Sequence, residues 1–224
     1  MVKPNVLHID SIQKSFGDKK ILSDIFLQCQ TGDVIGLLGR NGCGKSTLLK
    51  IVYGLVPTAD KYVAINGIKI QQKKDLRKHI GYLPQDAFIP PQLTVSKVIS
   101  LSVSPQLAIA LKTDELIGGL LSSKISELST GERRYLECSV VLTKATSFVL
   151  LDEPFHSLGP LMIELLKAKI TASAVLKGII LTDHSYHNVL DVANKVVLVR
   201  DGRLHHITST SKLVELGYLS SRMM

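Results

Sequence analysis

Hydrophobic residues follow two different patterns along the chain. Residues 6–30 alternate apolar and polar positions, as in VLHIDSIQKSF and KILSDIFLQC, and this two-residue period predicts strands with one buried face. Three later runs, DVIGLLG, SFVLLDE and KGIILTD, are apolar almost throughout, which is typical of parallel strands covered on both faces. Helical periods separate the runs. We therefore expect an α/β fold with a mostly parallel sheet and an N-terminal antiparallel β-subdomain.

The pattern changes near residue 86. The stretch DAFIPPQ is rich in turn residues, and residues 94–142 have a mainly helical period. Residues 86–142 are thus predicted to form a helical subdomain inserted into a single domain that spans residues 1–224. Asn66-Gly67 predicts a hairpin turn. We also expect a helix over residues 158–173 and a closing hairpin in KVVLVRDGRLHHI.

Composition sets limits on location and cofactors. The chain has 224 residues, of which 45% are hydrophobic and 21% charged, as in an ordinary globular protein. No apolar run reaches the roughly 18 residues that span a bilayer, and the N-terminal residues lack the apolar core of a signal peptide. We therefore expect a cytoplasmic protein. Cys29, Cys43 and Cys138 are widely spaced, which indicates reduced thiols and neither disulfides nor a zinc site.

The net charge of +8 is compatible with nucleic acid, with an anionic membrane surface or with neither. The densest basic run is KKDLRKH at residues 73–79. No aromatic residues interleave with it, as a stacking platform for bases would require. We therefore expect a solvated basic face, and nucleic acid is not expected as a partner.

A glycine-rich loop is the strongest chemical signal. Gly39, Gly44, Lys45 and Ser46 have the spacing GxxxxGK[ST] between a predicted strand and a predicted helix, which is the pattern of a phosphate-binding loop, or P-loop. Glycines let successive backbone N–H groups approach phosphates, the lysine adds a positive charge, and the serine hydroxyl is a ligand for Mg²⁺. The predicted nucleotide-binding residues of the loop are Gly39, Arg40, Asn41, Gly42, Cys43, Gly44, Lys45, Ser46 and Thr47.

Polar side chains follow three of the predicted strands. Asp152 and Glu153 end SFVLLDE, where the first carboxylate would orient Mg²⁺ and the second would activate an attacking water. Gln85 ends the strand before the helical segment, and His184 follows KGIILTD. The carboxyl ends of parallel strands share one sheet edge, so we expect these side chains near the P-loop. Lys45 and Glu153 are thus predicted to be catalytic, and Ser46 and Asp152 to be metal ligands. The Gln85 amide could reach the metal or the water, and the alternative is a surface glutamine.

These motifs, together with LSTGE at residues 128–132, resemble the ATP-binding cassette (ABC) nucleotide-binding domain across almost the whole chain, in the family's order. The resemblance implies a P-loop NTPase of the ABC ATPase fold that hydrolyses ATP with Mg²⁺. It implies that Gln85 and His184 are catalytic and that Gln85 is a metal ligand. It also implies that Phe16 stacks on adenine, where the alternative is a core phenylalanine.

The resemblance further implies a dimer in which LSTGE of one domain covers the ATP held by the other. Ser129, Thr130, Gly131 and Glu132 would then face the partner's nucleotide. The same residues also fit a capping box at a helix start, which is compatible with that role. Two positions depart from the family pattern, since Thr130 stands where Gly is usual and Gly159 stands where an Asp is common. Either a homodimer tolerates both changes or the partner is a different ABC ATPase subunit.

The family resemblance favours an ATPase subunit that moves separate transmembrane subunits from the cytoplasmic face of a membrane. The alternative is a soluble ABC ATPase that acts on nucleic acid, the ribosome or iron–sulfur assembly. Phe88 and Ile89 are expected to be exposed as a socket for a membrane subunit, or else to belong to the core. Cys43, near Lys45 and a helix start, is expected to have a lowered thiol pKa.

Overall fold

Two β-sheets and eight α-helices make up the computed structural model, which describes residues 4–219. The strands are β1 Val6–Phe16, β2 Lys19–Gln30, β3 Val34–Leu38, β4 Tyr62–Ile65, β5 Ile68–Lys69, β6 Ile80–Leu83, β7 Phe148–Asp152, β8 Gly178–Thr182, β9 Lys195–Arg200 and β10 Arg203–Ile207. The helices are α1 Lys45–Val52, α2 Lys73–His79, α3 Val95–Ser102, α4 Pro105–Lys112, α5 Thr130–Thr143, α6 Pro160–Ala174, α7 Tyr186–Val192 and α8 Thr210–Glu215, with 3₁₀ turns at Gly118–Leu120 and Ile125–Glu127.

The larger sheet has six strands in the order β10-β9-β3-β8-β7-β6. Its strands run parallel from β9 to β6, and β10 pairs with β9 in antiparallel fashion at the edge. Every residue of β3, β7 and β8 is buried, as their continuous apolar sequences predict. The predicted mostly parallel α/β sheet is confirmed.

The smaller sheet has four strands in the order β2-β1-β4-β5, and all its pairings are antiparallel. Its alternating sequence places one face against the larger sheet, with α1 in the same apolar core. Burying that face removes apolar surface from water and fixes the strand register. The predicted N-terminal antiparallel β-subdomain is confirmed, including the hairpin at Asn66-Gly67.

The segment predicted to be a helical subdomain contains α3, α4 and α5 with the two 3₁₀ turns. Its apolar residues belong to the same core as the face of the six-stranded sheet that packs against α6 and α7. Ile89 is buried in this core, as one of the two alternatives predicted, whereas Phe88 is exposed, as the other predicted. Residues 1–3 and 220–224 of the predicted domain lie outside the described residues.

The sequence pattern did not predict two short helices, α2 and α8. Each buries a single side chain, Leu76 in α2 and Leu213 in α8, so neither has a measurable helical period. Within residues 4–219, no helix combines the length and the apolar composition that crossing a bilayer requires.

Gly178 marks a close approach of the two sheets. A Cβ at this position would lie 2.7 Å from Cys29 Sγ, 2.8 Å from Phe148 Cδ1 and 2.9 Å from the backbone oxygen of Gln30. We expect Gly178→Ala to lower the free energy of unfolding by about 1–3 kcal/mol through overpacking, measured by urea denaturation. Gly119→Ala is the matched control because no atom lies within 4 Å of its added Cβ. Equal stabilities for the two variants would contradict the close sheet contact.

Candidate active site

The P-loop connects β3 to α1 through a backbone that requires glycine. Gly39, Gly42 and Gly44 have φ values of 153°, 75° and 108°, in the region that side chains disfavour. A Cβ on Gly44 would also lie 2.8 Å from Ile21 Cγ2, so the loop packs directly on β2. The first turn of α1 contains no acidic residue, and no side chain caps its N–H groups. These N–H groups are therefore suited to hold an anion.

Lys45 lies inside the curve of the loop. Its Nζ donates hydrogen bonds to the backbone oxygens of Gly39 at 2.7 Å and Arg40 at 3.3 Å. The Cys43 N–H closes the turn by donating to the Arg40 oxygen at 3.2 Å. The loop thus holds a positive charge among backbone N–H groups, which is the chemistry that binds phosphates.

Asp152 ends β7 directly beside the loop and is fully buried. Its Oδ1 accepts a hydrogen bond from the Ser46 hydroxyl at 2.8 Å, and its Oδ2 accepts one from the Tyr82 hydroxyl at 3.3 Å. Burial raises the pKa of the Asp152 carboxyl, an effect that the hydrogen bond from Ser46 opposes. The structure therefore brings together two of the three predicted metal ligands, Ser46 and Asp152.

Glu153 follows in a left-handed backbone conformation, with φ at 56°, which is uncommon and strained for a residue with a side chain. Its N–H donates to the Thr182 oxygen at 2.8 Å. Its Oε1 lies 2.7 Å from His184 Nε2, and its Oε2 accepts a hydrogen bond from Gln85 Nε2 at 3.2 Å. Three predicted catalytic side chains from three different strand ends therefore meet at one carboxylate.

The side chains predicted to bind a metal all offer oxygen atoms. The Ser46 hydroxyl, the Asp152 carboxylate and the Gln85 amide oxygen are the hard ligands that Mg²⁺ prefers, and Mg²⁺ usually takes one or two carboxylates together with substrate phosphates. No group of three or more His, Cys, Asp or Glu side chains within residues 4–219 is arranged to hold a metal by itself. The residues present fit Mg²⁺ that arrives with a nucleotide.

Arg134, which the sequence analysis missed, supports the backbone of the site from α5. Its guanidinium donates to the Pro84 oxygen at 2.8 Å and the Glu153 oxygen at 2.9 Å, and also to the Asp152 oxygen. It lies 3.5 Å from Glu137, which accepts a hydrogen bond from the Phe88 N–H at 3.2 Å. A buried arginine thus ties the end of β7 to the segment that follows β6.

Asp183 and Tyr82 are two further residues of the site that the sequence analysis did not identify. The Asp183 carboxylate accepts hydrogen bonds from the N–H groups of Phe155 and Ser185, both at 2.9 Å. Burial raises the pKa of this carboxyl. Asp183 therefore braces the two loops that carry Glu153 and His184. Its position next to His184 at the end of an apolar strand was the available signal.

The LSTGE segment opens α5 with Ser129 as N-cap. The Glu132 N–H donates to Ser129 Oγ at 3.2 Å, and Glu132 Oε2 accepts from the Ser129 N–H at 2.8 Å. The predicted capping box is therefore present. Ser129 and Thr130 are exposed, whereas Gly131 is buried, and a Cβ on it would lie 3.0 Å from the Ser157 oxygen.

Phe16 ends β1 with its ring 55% exposed. Lys14 Nζ lies 5.0 Å from the ring centroid. The alternative that Phe16 is a core residue is therefore wrong, and the ring is free to stack on a ligand.

Cys43 does not have the lowered thiol pKa that its position predicts. Burial raises its pKa, and the opposing effect of the Lys45 charge is smaller. Burial also raises the pKa of Cys29 and brings that of Cys138 to about 12. Cys43 is nonetheless the most accessible of the three thiols, because the other two are fully buried.

Comparisons with known proteins decide the family. The family profile described as "ABC transporter" matches residues 22–156, more than half of the chain. The chain belongs to the ABC transporter family. It is 34% identical to the lipopolysaccharide export system ATP-binding protein LptB of Haemophilus influenzae over 89% of each chain. It is 31% identical to LptB of Escherichia coli K12, over 87% of this chain and 86% of that protein.

Solved structures agree with this fold. The structure titled "Structure of ATP binding subunit of ABC transporter" superposes with a TM-score of 0.81 at 22% identity, over 96% of this chain and 95% of that chain. The ATP-bound bacterial Atm1-family ABC exporter gives a TM-score of 0.84 at 20% identity, over 100% of this chain and 42% of that chain. The predicted ABC ATPase fold is confirmed, and the chain is an ATP-binding and ATP-hydrolysing subunit of a transporter.

Arg134 should be the main structural support of this ABC ATPase site. We expect Arg134→Met to lower the free energy of unfolding by roughly 3–5 kcal/mol, because it leaves three backbone carbonyls without their donor and removes one of the two arginines that pair with buried Glu137. Arg133→Met is the matched control, since Arg133 also pairs with Glu137, at 3.4 Å, but is more exposed and donates to only one backbone oxygen, that of Ile89. Urea denaturation measures both variants. A loss for Arg133→Met that equals or exceeds that of Arg134→Met would contradict the assignment.

Proposed function

We propose that this chain is the Mg²⁺-dependent ATPase subunit of an ABC transporter in which two ATPase subunits close around two ATP molecules and move separate transmembrane subunits. The observation that carries the proposal is the convergence of Gln85 and His184 on Glu153, beside the Ser46–Asp152 pair. Phosphate-binding, metal-binding and water-activating chemistries thus lie around one strand end.

ATP binding begins at the P-loop. Backbone N–H groups from Gly39 to Thr47 surround the phosphates, and Lys45 contacts the β and γ phosphates. The exposed ring of Phe16 stacks on adenine. Because Gly44 packs on β2 and Phe16 ends β1 in the same hairpin, the loop and the ring share one rigid support.

Ser46, Asp152 and Gln85 would hold Mg²⁺. When bound there, the ion would supply positive charge that offsets the negative charge of the phosphates. Glu153 accepts a proton from the water that attacks the γ phosphorus as the bond to ADP breaks. His184 and Gln85 hold this carboxylate from both sides, so they position the base.

The exposed start of α5 supplies the second half of each site. Ser129 and Thr130 would face the γ phosphate held by the partner subunit, where the positive end of the helix favours an anion. Gly131 and Glu132 maintain the first turn. Two copies of this chain would form two equal sites, and a different ABC ATPase subunit is the other possible partner.

The segment after Gln85 is suited to transmit closure to a transmembrane subunit. Gln85 contacts Glu153, and three residues later the Phe88 N–H donates to Glu137 on α5. The proposed location is the cytoplasmic face of a membrane. The relatives that match over most of their length are ATP-binding proteins of an export system. This similarity favours a transporter subunit. The alternative is a non-transport ABC ATPase that acts on nucleic acid, the ribosome or iron–sulfur assembly.

Lys45→Ala tests the phosphate contact. We expect it to reduce kcat/KM for ATP by at least about 100-fold while the melting temperature is kept, because the charge acts on the phosphates and not on the core. Lys97→Ala, on the exposed side of α3, is the control. ATPase assays measure both. An unchanged rate for Lys45→Ala would refute the role of the loop.

Glu153→Gln tests the shared site. It should slow hydrolysis by roughly 10²–10⁴-fold, as removal of a general base does, and allow an ATP-bound dimer to accumulate. Adding Ser129→Arg should break that dimer by placing bulk and charge at the partner's phosphate. Light scattering with ATP measures the mass.

The control for the double variant is Glu153→Gln with Thr94→Arg, which removes the comparable N-cap of α3 and should still dimerise. If Glu153→Gln with Ser129→Arg also remains a dimer, Ser129 does not face the partner's ATP.

A further inference from the structure

Basic side chains surround α2, away from the nucleotide site. Four of the seven residues of this helix are exposed cations, and Leu76 alone is buried. Neighbouring segments add two more cations, Lys61 before β4 and Lys69 in β5. We define the α2 basic surface as Lys61, Lys69, Lys73, Lys74, Arg77 and Lys78.

These cations form one continuous surface. Lys69 and Lys78 line the same shallow groove of about 390 Å³, together with Ile68. At the other end of the helix, Lys73 lies against Gly54, where an added Cβ would be 3.2 Å from Lys73 Cγ. Burial, with repulsion from Lys73, lowers the pKa of Lys61. Lys61 therefore lies near Lys73 at the start of α2, while Lys69 and Lys78 lie at its end, so the positive surface covers the whole helix.

Few carboxylates balance this charge. Asp75 pairs with Lys78 at 2.9 Å, and Asp60 precedes Lys61 in the sequence. Six cations against two carboxylates leave a net excess of four positive charges. Such a concentration of one sign creates a local potential that attracts a polyanion.

Exposed aliphatic side chains beside these cations indicate which kind of polyanion the α2 basic surface binds. Ile68 is 69% exposed at the tip of the β4–β5 hairpin, and Leu55 is 47% exposed beside Gly54. Arg77 lies 5.6 Å from the ring centroid of Tyr53, which also packs on Tyr82 at 5.0 Å, so this ring is covered. Aliphatic side chains beside lysines suit the headgroup region of a bilayer, whereas single-stranded nucleic acid is typically bound on open aromatic faces.

We propose that the α2 basic surface binds the anionic headgroups of a membrane directly. The inference rests on the proposed function, in which the subunit works at a membrane, and adds a lipid contact to its protein contacts. Lysines and arginines attract anionic lipid, while Ile68 and Leu55 enter the headgroup layer. Each basic residue near such a surface increases binding roughly fivefold, and salt weakens the effect.

The experiment is cosedimentation of the nucleotide-free protein with vesicles. One vesicle preparation contains phosphatidylglycerol and phosphatidylcholine, and the other contains phosphatidylcholine alone. We expect the wild-type chain to bind the anionic vesicles and to be released by salt. Lys73→Glu with Lys74→Glu should weaken binding by at least about 25-fold, since two cations are lost. Both positions are exposed in the first turn of α2, where carboxylates suit the helix dipole, so the variant should fold.

The matched control is Lys97→Glu with Lys112→Glu, which changes the net charge equally on α3 and α4 and should retain binding. Ile68→Ser should weaken binding without any change in charge. Equal binding to both vesicle types, or an equal loss in the control, would overturn the proposal. Tighter binding to a single-stranded oligonucleotide that displaces the vesicles would also overturn it and assign the surface to nucleic acid.

ATPase activity separates this inference from the proposed function. Lys73→Glu with Lys74→Glu should hydrolyse ATP at the wild-type rate, because neither residue belongs to the nucleotide site. A wild-type chain that hydrolyses ATP but ignores anionic vesicles refutes only the lipid contact. A wild-type chain that binds no ATP refutes the proposed function, whatever the vesicles show.

Discussion

Two adjacent carboxylates at the end of β7 are the constraint that organises this structure. Asp152 is fully buried, and Glu153 is 6% exposed. Buried charges are costly unless hydrogen bonds and opposite charges compensate them. Compensation comes from Ser46 of α1 and Tyr82 of β6 around the first carboxylate, and from Gln85 and His184 around the second. The same side chains that compensate these buried carboxylates therefore also form the candidate active site.

The same constraint explains why the site should respond to its ligand. At the proposed site the γ phosphate of ATP would bring further negative charge close to Glu153, and the contacts of Glu153 with Gln85 and His184 would then have to adjust. Gln85 leads to Phe88, whose N–H is bonded to Glu137 on α5, and Ser129 caps the start of that helix. A contiguous set of contacts thus joins Glu153, the proposed base, to the surface proposed to meet the partner subunit.

Sequence reasoning recovered the parts of the molecule that depend on local pattern. The apolar runs identified β3, β7 and β8, and the P-loop spacing identified the loop between β3 and α1. Arg134, Asp183 and Tyr82 escaped because their roles depend on contacts between distant segments, which no short motif encodes. The pKa of Cys43 was predicted in the wrong direction because burial outweighs the nearby lysine, and burial depends on tertiary packing.

The two departures from the family pattern alter side-chain chemistry and leave the backbone unchanged. Thr130 occupies the first helical position of α5, and no positive φ there requires glycine. Gly159 is the N-cap of α6 with φ at −73°, and no atom lies within 4 Å of an added Cβ. An aspartate would fit at position 159 and would cap the helix better than glycine. The effect of both changes is therefore confined to the proposed dimer surface, where Thr130 adds a methyl and a hydroxyl and position 159 offers no carboxylate. Communication between two ATP sites should then depend more on Ser129 than on position 159.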